Sequence, residues 1–180
     1  MDAATVARNH QKYGWRFWLL DRRAQVYLLW LIIVPPGFVH LYFEQPFWIN
    51  WPWLLTCVVG LGYMGFVMRP FDSRMKAIFL AWLVPLTIGM AISFLATTRS
   101  FYALLPYLAL IWAIVQAAGY ALNGLVDAPS GWYWLAAILH IGAAIFIIAF
   151  PGLIALHWLM LAIVSAWSLL NLWLFRSVHA

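Results

Sequence analysis

Six apolar runs dominate this chain: Gln25 to Phe43, Trp51 to Met68, Ala77 to Ala96, Ala103 to Gly124, Trp132 to Phe150, and Leu153 to Phe175. Each holds about 18–23 residues, enough to span roughly 30 Å as an α-helix. None alternates at the two-residue period of a lipid-exposed strand, so a membrane β-barrel does not fit. The expected fold is therefore all-α, a polytopic membrane protein with six transmembrane helices. Composition agrees, because 67% of the residues are apolar and only 8% are charged. A soluble domain carries about 25% charged residues. That contrast excludes a soluble enzyme, a nucleic-acid binder and a disordered tail. The single cysteine, Cys57, excludes an intrachain disulfide and leaves no basis for a cysteine metal site.

The organisation follows from the breaks between runs. Glu44-Gln45-Pro46, Arg69-Pro70, Thr97-Thr98-Arg99-Ser100, Asp127-Ala128-Pro129-Ser130-Gly131 and Pro151-Gly152 separate them. These links are short, so consecutive helices are expected to pair as three antiparallel hairpins. Arg8, Lys12, Arg16, Arg22, Arg23, Arg69, Arg74, Lys76 and Arg176 fall on one side, and Arg99 on the other. The positive-inside rule then places both termini in the cytoplasm. Residues 1–24 read as a cytoplasmic, interfacial amphipathic helix rather than a cleaved leader, since residues 13–23 mix the aromatics Tyr13, Trp15, Phe17 and Trp18 with the cations Arg16, Arg22 and Arg23. Residues 25–175 form the six-helix domain, and 176–180 a cytoplasmic tail. The thirteen Trp residues are expected at the membrane interfaces, where the ring is buried and the N–H stays wet.

A weak repeat runs through the three hairpins. Gly37 precedes Pro46 by nine residues and Gly142 precedes Pro151 by nine, while Gly89 stands nine before Thr98. A glycine two turns before a helix end lets a neighbouring backbone approach. The stretch Gly142-Ala143-Ala144-Ile145-Phe146-Ile147-Ile148-Ala149-Phe150-Pro151, followed by a Leu/Ile-rich helix with Ser165 and Ser168, resembles the HdeD-like, DUF308 membrane family. The middle hairpin and the Pro35-Pro36 pair depart from that pattern. The resemblance implies a small bacterial inner-membrane protein of six spans with cytoplasmic ends, tied in some bacteria to acid stress. It carries over no catalytic residues.

All five acids, Asp2, Asp21, Glu44, Asp72 and Asp127, fall outside the helix cores. Membrane-embedded charge is what proton pumps and ion-coupled transporters need, and no hydrolase, metalloprotease or phosphate-loop motif is present. Ser93 or Ser165 with His140 is the only conceivable nucleophile–base pair. Three histidines are candidate cofactor ligands. His40 and His157 lie at similar depth near one face, and Glu44 stands one turn beyond His40. These three form a candidate pH-sensitive cluster if helices one and six are neighbours, since a carboxylate favours charged imidazole. As axial ligands, His40 and His157 would suit haem, and His140 bacteriochlorophyll or haem. The plainer expectation is structural, with His40 and His157 bonded at an interface. His140, with Ala136, Ala143 and Ala144 on its face, would point at another helix. A polar interhelical seam is expected from Gln116, Tyr120 and Asn123 on the fourth helix and Ser165, Ser168 and Asn171 on the sixth.

Three functional classes follow from these residues. The first is a non-catalytic protein acting through the lipid bilayer, other membrane subunits or a second copy of itself. The second is a haem- or pigment-binding subunit of an electron-transfer or photosynthetic assembly. The third is a channel or transporter for small uncharged solutes. Nucleic acid is not an expected partner, and no metal site is expected.

Overall fold

The computed structural model describes residues 22–43, 50–69, 73–97, 102–127 and 131–179. They form six helices and no strand: α1 (Arg22–Phe43), α2 (Asn50–Val67), α3 (Ser73–Thr97), α4 (Leu108–Val126), α5 (Gly131–Ala149) and α6 (Ile154–His179). A 3₁₀ turn, Tyr102–Tyr107, leads into α4. The expected amphipathic helix before residue 22, and Glu44, lie outside the described residues.

Five stretches are long and apolar enough to cross a membrane: Ala24–Leu41, Ser73–Ala96, Ala103–Val126, Gly131–Ala149 and Ile154–Leu174. The second run is shorter, its described apolar helix covering Trp53–Val67. Pro35 and Pro36 lie inside α1 and Pro85 inside α3. Such prolines forfeit backbone hydrogen bonds, a loss that packed neighbouring helices accommodate in membrane proteins. The fifth and sixth runs are separate helices. At Pro151-Gly152 the chain turns, with the Leu153 amide donating to the Phe150 carbonyl at 3.1 Å.

Each helix packs on the next in sequence, and α1 packs most extensively on α6, closing the circuit. Side-chain contacts set the directions. Gly37 faces Trp53 while Gly60 faces Trp30, so α1 and α2 run antiparallel. Gly89 faces Val115 while Gly119 faces Trp82, so α3 and α4 do too. His140 meets Ser165 and Phe146 meets His157, which orients α5 against α6. Two ends result: a base, where α1, α3 and α5 begin, and a top, where α2, α4 and α6 begin.

Tryptophan departs from expectation. Trp30, Trp53, Trp82, Trp112 and Trp158 are buried inside the bundle. Lipid is as apolar as leucine, so helix association rests on van der Waals fit. A flat ring laid over a glycine on the next helix gives that fit. Trp53 lies over Gly37, Trp30 over Gly60, Trp82 over Gly119 and Trp134 over Gly124. The glycine repeat is correspondingly uneven. Gly37 and Gly89 are covered by Trp53 and Val115, whereas a Cβ on Gly142 would meet nothing within 4 Å. Gly142 faces outward and does not serve close approach.

Candidate functional site

The interior is layered from top to base. At the top, Phe38 of α1 packs against Trp53 of α2, Trp158 of α6 and Trp112 of α4. Phe38 lies 5.3 Å from Trp53, 5.8 Å from Trp158 and 6.5 Å from Trp112, between ring centroids. Trp53 and Trp112 meet edge-on at 5.4 Å, a favoured aromatic geometry. Trp112 Nε1 donates to Ser93 Oγ at 3.0 Å, which uses the one polar atom of that indole. Ser93 is thus bonded to an indole, away from His140's serine partner.

His157 and His40 occupy the same end. His157 is 1% exposed. Its Nε2 donates to the Phe150 carbonyl at 2.9 Å. That carbonyl belongs to the turn after α5, where the end of a helix leaves acceptors without intrahelical donors. His157 therefore ties the start of α6 to the end of α5. The remaining nitrogen, Nδ1, is buried without a hydrogen-bond partner among the described residues. His40 is exposed on the surface of α1. Among the described residues no group of three His, Cys, Asp or Glu is placed to hold a metal ion.

The middle layer centres on His140, which is fully buried. Its Nδ1 donates to the Ala136 carbonyl at 2.8 Å, and its Nε2 lies 3.2 Å from Ser165 Oγ. A carbonyl only accepts, so Nδ1 carries a proton, and in the neutral imidazole Nε2 then accepts from the serine hydroxyl. Both nitrogens are engaged. Its ring packs at 5.1 Å on Tyr120 of α4, which in turn meets Trp82 of α3 at 4.9 Å. Gln116, Tyr120, Asn123, Ser165 and Ser168 are all buried. The structure brings Tyr120, His140 and Ser165 together across α4, α5 and α6. Asn123 Nδ2 donates back to the Gly119 carbonyl at 2.8 Å. Asn171 lies apart from this layer, partly exposed and bonded to the Trp167 carbonyl at 2.7 Å.

The base holds the feature that sequence reasoning missed. Asp127 is the sole side-chain carboxylate among the described residues, and its side chain is fully buried. Arg74 Nη2 reaches Oδ1 at 2.6 Å and Nε reaches the same oxygen at 3.1 Å. Tyr133 donates to Oδ2 at 3.0 Å, and the Tyr27 hydroxyl bonds that of Tyr133. This network joins α1, α3, α5 and the end of α4. Asp127 is therefore not a solvated loop acid. An ionised carboxylate out of water needs an opposite charge and hydrogen bonds to both oxygens, and here it has both. Arg74 lies inside the first turn of α3, since that helix starts at Ser73. Its side chain remains 47% exposed, so the guanidinium spans buried and outer environments.

No family model, no curated protein and no solved structure matches the chain.

Proposed function

We propose that the chain is a non-catalytic, six-span integral membrane protein, HdeD-like in build, with three hairpins and cytoplasmic termini in a bacterial inner membrane. It acts through lipid or protein contacts, as an accessory or stress-response subunit. One observation carries this reading: the bundle draws polar groups such as His140, Ser165 and Asp127 inward, while its outward faces are apolar. Ile138, Ile141, Ile145 and Ile148 of α5, Leu80, Val84 and Ile88 of α3, and Leu55, Val58 and Val59 of α2 are all exposed. In water such a surface would aggregate; in a bilayer it is the lipid-facing wall. The cation distribution supports an orientation with the base, and its Arg74–Asp127 pair, at the cytoplasmic side. α2 then crosses as the sixth span, a short one, with flanking residues or local bilayer thinning absorbing the mismatch.

The test is purification from a native membrane in mild detergent, with retained lipids and polypeptides identified by mass spectrometry. The expected result is a stoichiometric partner chain, a second copy or a retained lipid set, in a colourless preparation. A bare, delipidated monomer would overturn the proposal.

His157 supports a second reading, a haem or bacteriochlorophyll site. With Nε2 donating to Phe150, the buried Nδ1 keeps a free lone pair, the donor that an iron or magnesium centre requires. An absorption band in the visible or near-infrared that is lost in His157→Ala would establish it.

A further inference from the structure

Three buried polar atoms on α4 and α6, in residues of the expected polar seam, have no hydrogen-bond partner among the described residues: Tyr120 Oη, Asn123 Oδ1 and Ser168 Oγ. Their residues are 0%, 0% and 1% exposed. Buried polar groups are nearly always bonded, because leaving one unpaired forfeits its hydration without return. Three orphans in one seam call for an occupant.

Their placement defines it. Tyr120 and Asn123 are three residues apart on α4 and share a face. Ser168 stands three residues from Ser165 on α6, and Ser165 is bonded to His140, whose ring packs on Tyr120. Tyr120 therefore packs on the imidazole, and Asn123 and Ser168 each stand one turn from a residue that touches it. Asn123 gives one of its two amide hydrogens to the Gly119 carbonyl, and its orphaned oxygen can only accept. The two hydroxyls both donate and accept. A molecule that donates twice and accepts twice satisfies this set, and nothing in the seam favours a charged ligand. One turn beyond Asn123 comes Asp127, whose partner Arg74 is half exposed at the base. At the other end, the layer of Phe38, Trp53, Trp112 and Trp158 closes the interior.

We propose that this seam binds a short file of water molecules. The file bridges Tyr120 Oη, Ser168 Oγ and Asn123 Oδ1, enters from the base past Asp127, and stops beside His140 beneath the aromatic layer. Buried waters of this type make about three hydrogen bonds each to groups that would otherwise be unsatisfied. The file is a blind inlet: it hydrates the middle of the bundle from one side and connects to nothing on the other.

Two measurements on the full chain in lipid vesicles test the proposal. In water-edited solid-state NMR, magnetisation from water should reach the Tyr120, Ser168 and His140 side chains as rapidly as it reaches Arg74. The transfer to His140 should be lost in the Tyr120→Phe, Ser168→Ala double variant. Absence of transfer in the wild type, or its persistence in the variant, would overturn the proposal. Thermal unfolding of the single variants gives a readout of opposite sign for the two cases. If the hydroxyls hold water, Tyr120→Phe and Ser168→Ala each lower the melting temperature, by about 2–4 °C. If they are true orphans, removing them raises it, and the water file is wrong. A Tyr120 signal that moves on adding glycerol, with no water transfer, would assign the seam to a polyol and likewise overturn it.

Discussion

Asp127 and Arg74 form an asymmetric pair: they meet at 2.6 Å, yet the carboxylate is fully buried and the guanidinium nearly half exposed. The asymmetry makes the two single substitutions unequal. Arg74→Gln strands a buried carboxylate, which costs more than losing the attraction alone. Asp127→Asn leaves an arginine that can turn outward to water. Unfolding in detergent is expected to show a larger loss for Arg74→Gln than for Asp127→Asn. The double variant should lie closer to Asp127→Asn than additivity allows, with a coupling of about 0.5–3 kcal/mol. Equal single effects that simply add would mean that the pair is not structural.

The tryptophan–glycine contacts make a second set of expectations. A Cβ on Gly119 would come within 2.5 Å of the Trp82 ring, and one on Gly60 within 2.8 Å of Trp30. Gly119→Ala and Gly60→Ala should each destabilise by about 1–3 kcal/mol, as overpacking does. Gly142→Ala meets open space. It should be neutral or stabilising by up to about 1 kcal/mol, since alanine favours helix. Detergent melting curves of the three variants decide the ranking.

His140 gives a third comparison. His140→Phe removes the bonds to Ala136 and Ser165 and forces a larger ring against Tyr120. Leu139→Phe enlarges a residue that is only partly buried. The melting temperature should fall further for His140→Phe, and Ser165→Ala should lower it less than His140→Phe does. Equal falls at 139 and 140 would place the wrong face of α5 inside.

The proposed membrane orientation is read by cysteine labelling from outside intact cells. Ser100→Cys and Ile49→Cys should react, and Ser73→Cys and Ser130→Cys should not. Native Cys57 is fully buried, so the background should be low. Labelling at position 73 from outside would invert or break the six-span arrangement.

Hydropathy located the helices closely: the run Trp132 to Phe150 corresponds to α5, Gly131–Ala149, and Leu153 to Phe175 to most of α6. Helical period and small neighbours also placed His140 against another helix, where it meets Ser165. Hydropathy says which residues leave water but not which ends of the helices meet. Asp127 stands just past an apolar run and so read only as an acid outside the helix cores. Only the antiparallel register of α3 and α4, the same that pairs Trp82 with Gly119, sets it against Arg74. That register was a usable signal, since both residues mark the facing ends of consecutive runs. The buried tryptophans escaped for a related reason. An indole suits a membrane interface on chemical grounds, and only a glycine on the next helix makes it suit the interior. His40 and His157 share an end of the bundle but not an environment, one exposed and one enclosed. Sequence depth alone does not separate them.

The aromatic layer at the top has an optical consequence. Trp53, Trp112 and Trp158 come from three different helices and meet around Phe38. Indoles held this close exchange excitation, and their emission colour follows the polarity of their surroundings. Any rearrangement that parts α1, α2, α4 and α6 at this level must separate the rings or let water reach them. The protein thus carries a built-in fluorescent gauge of its own closure, readable without an attached dye.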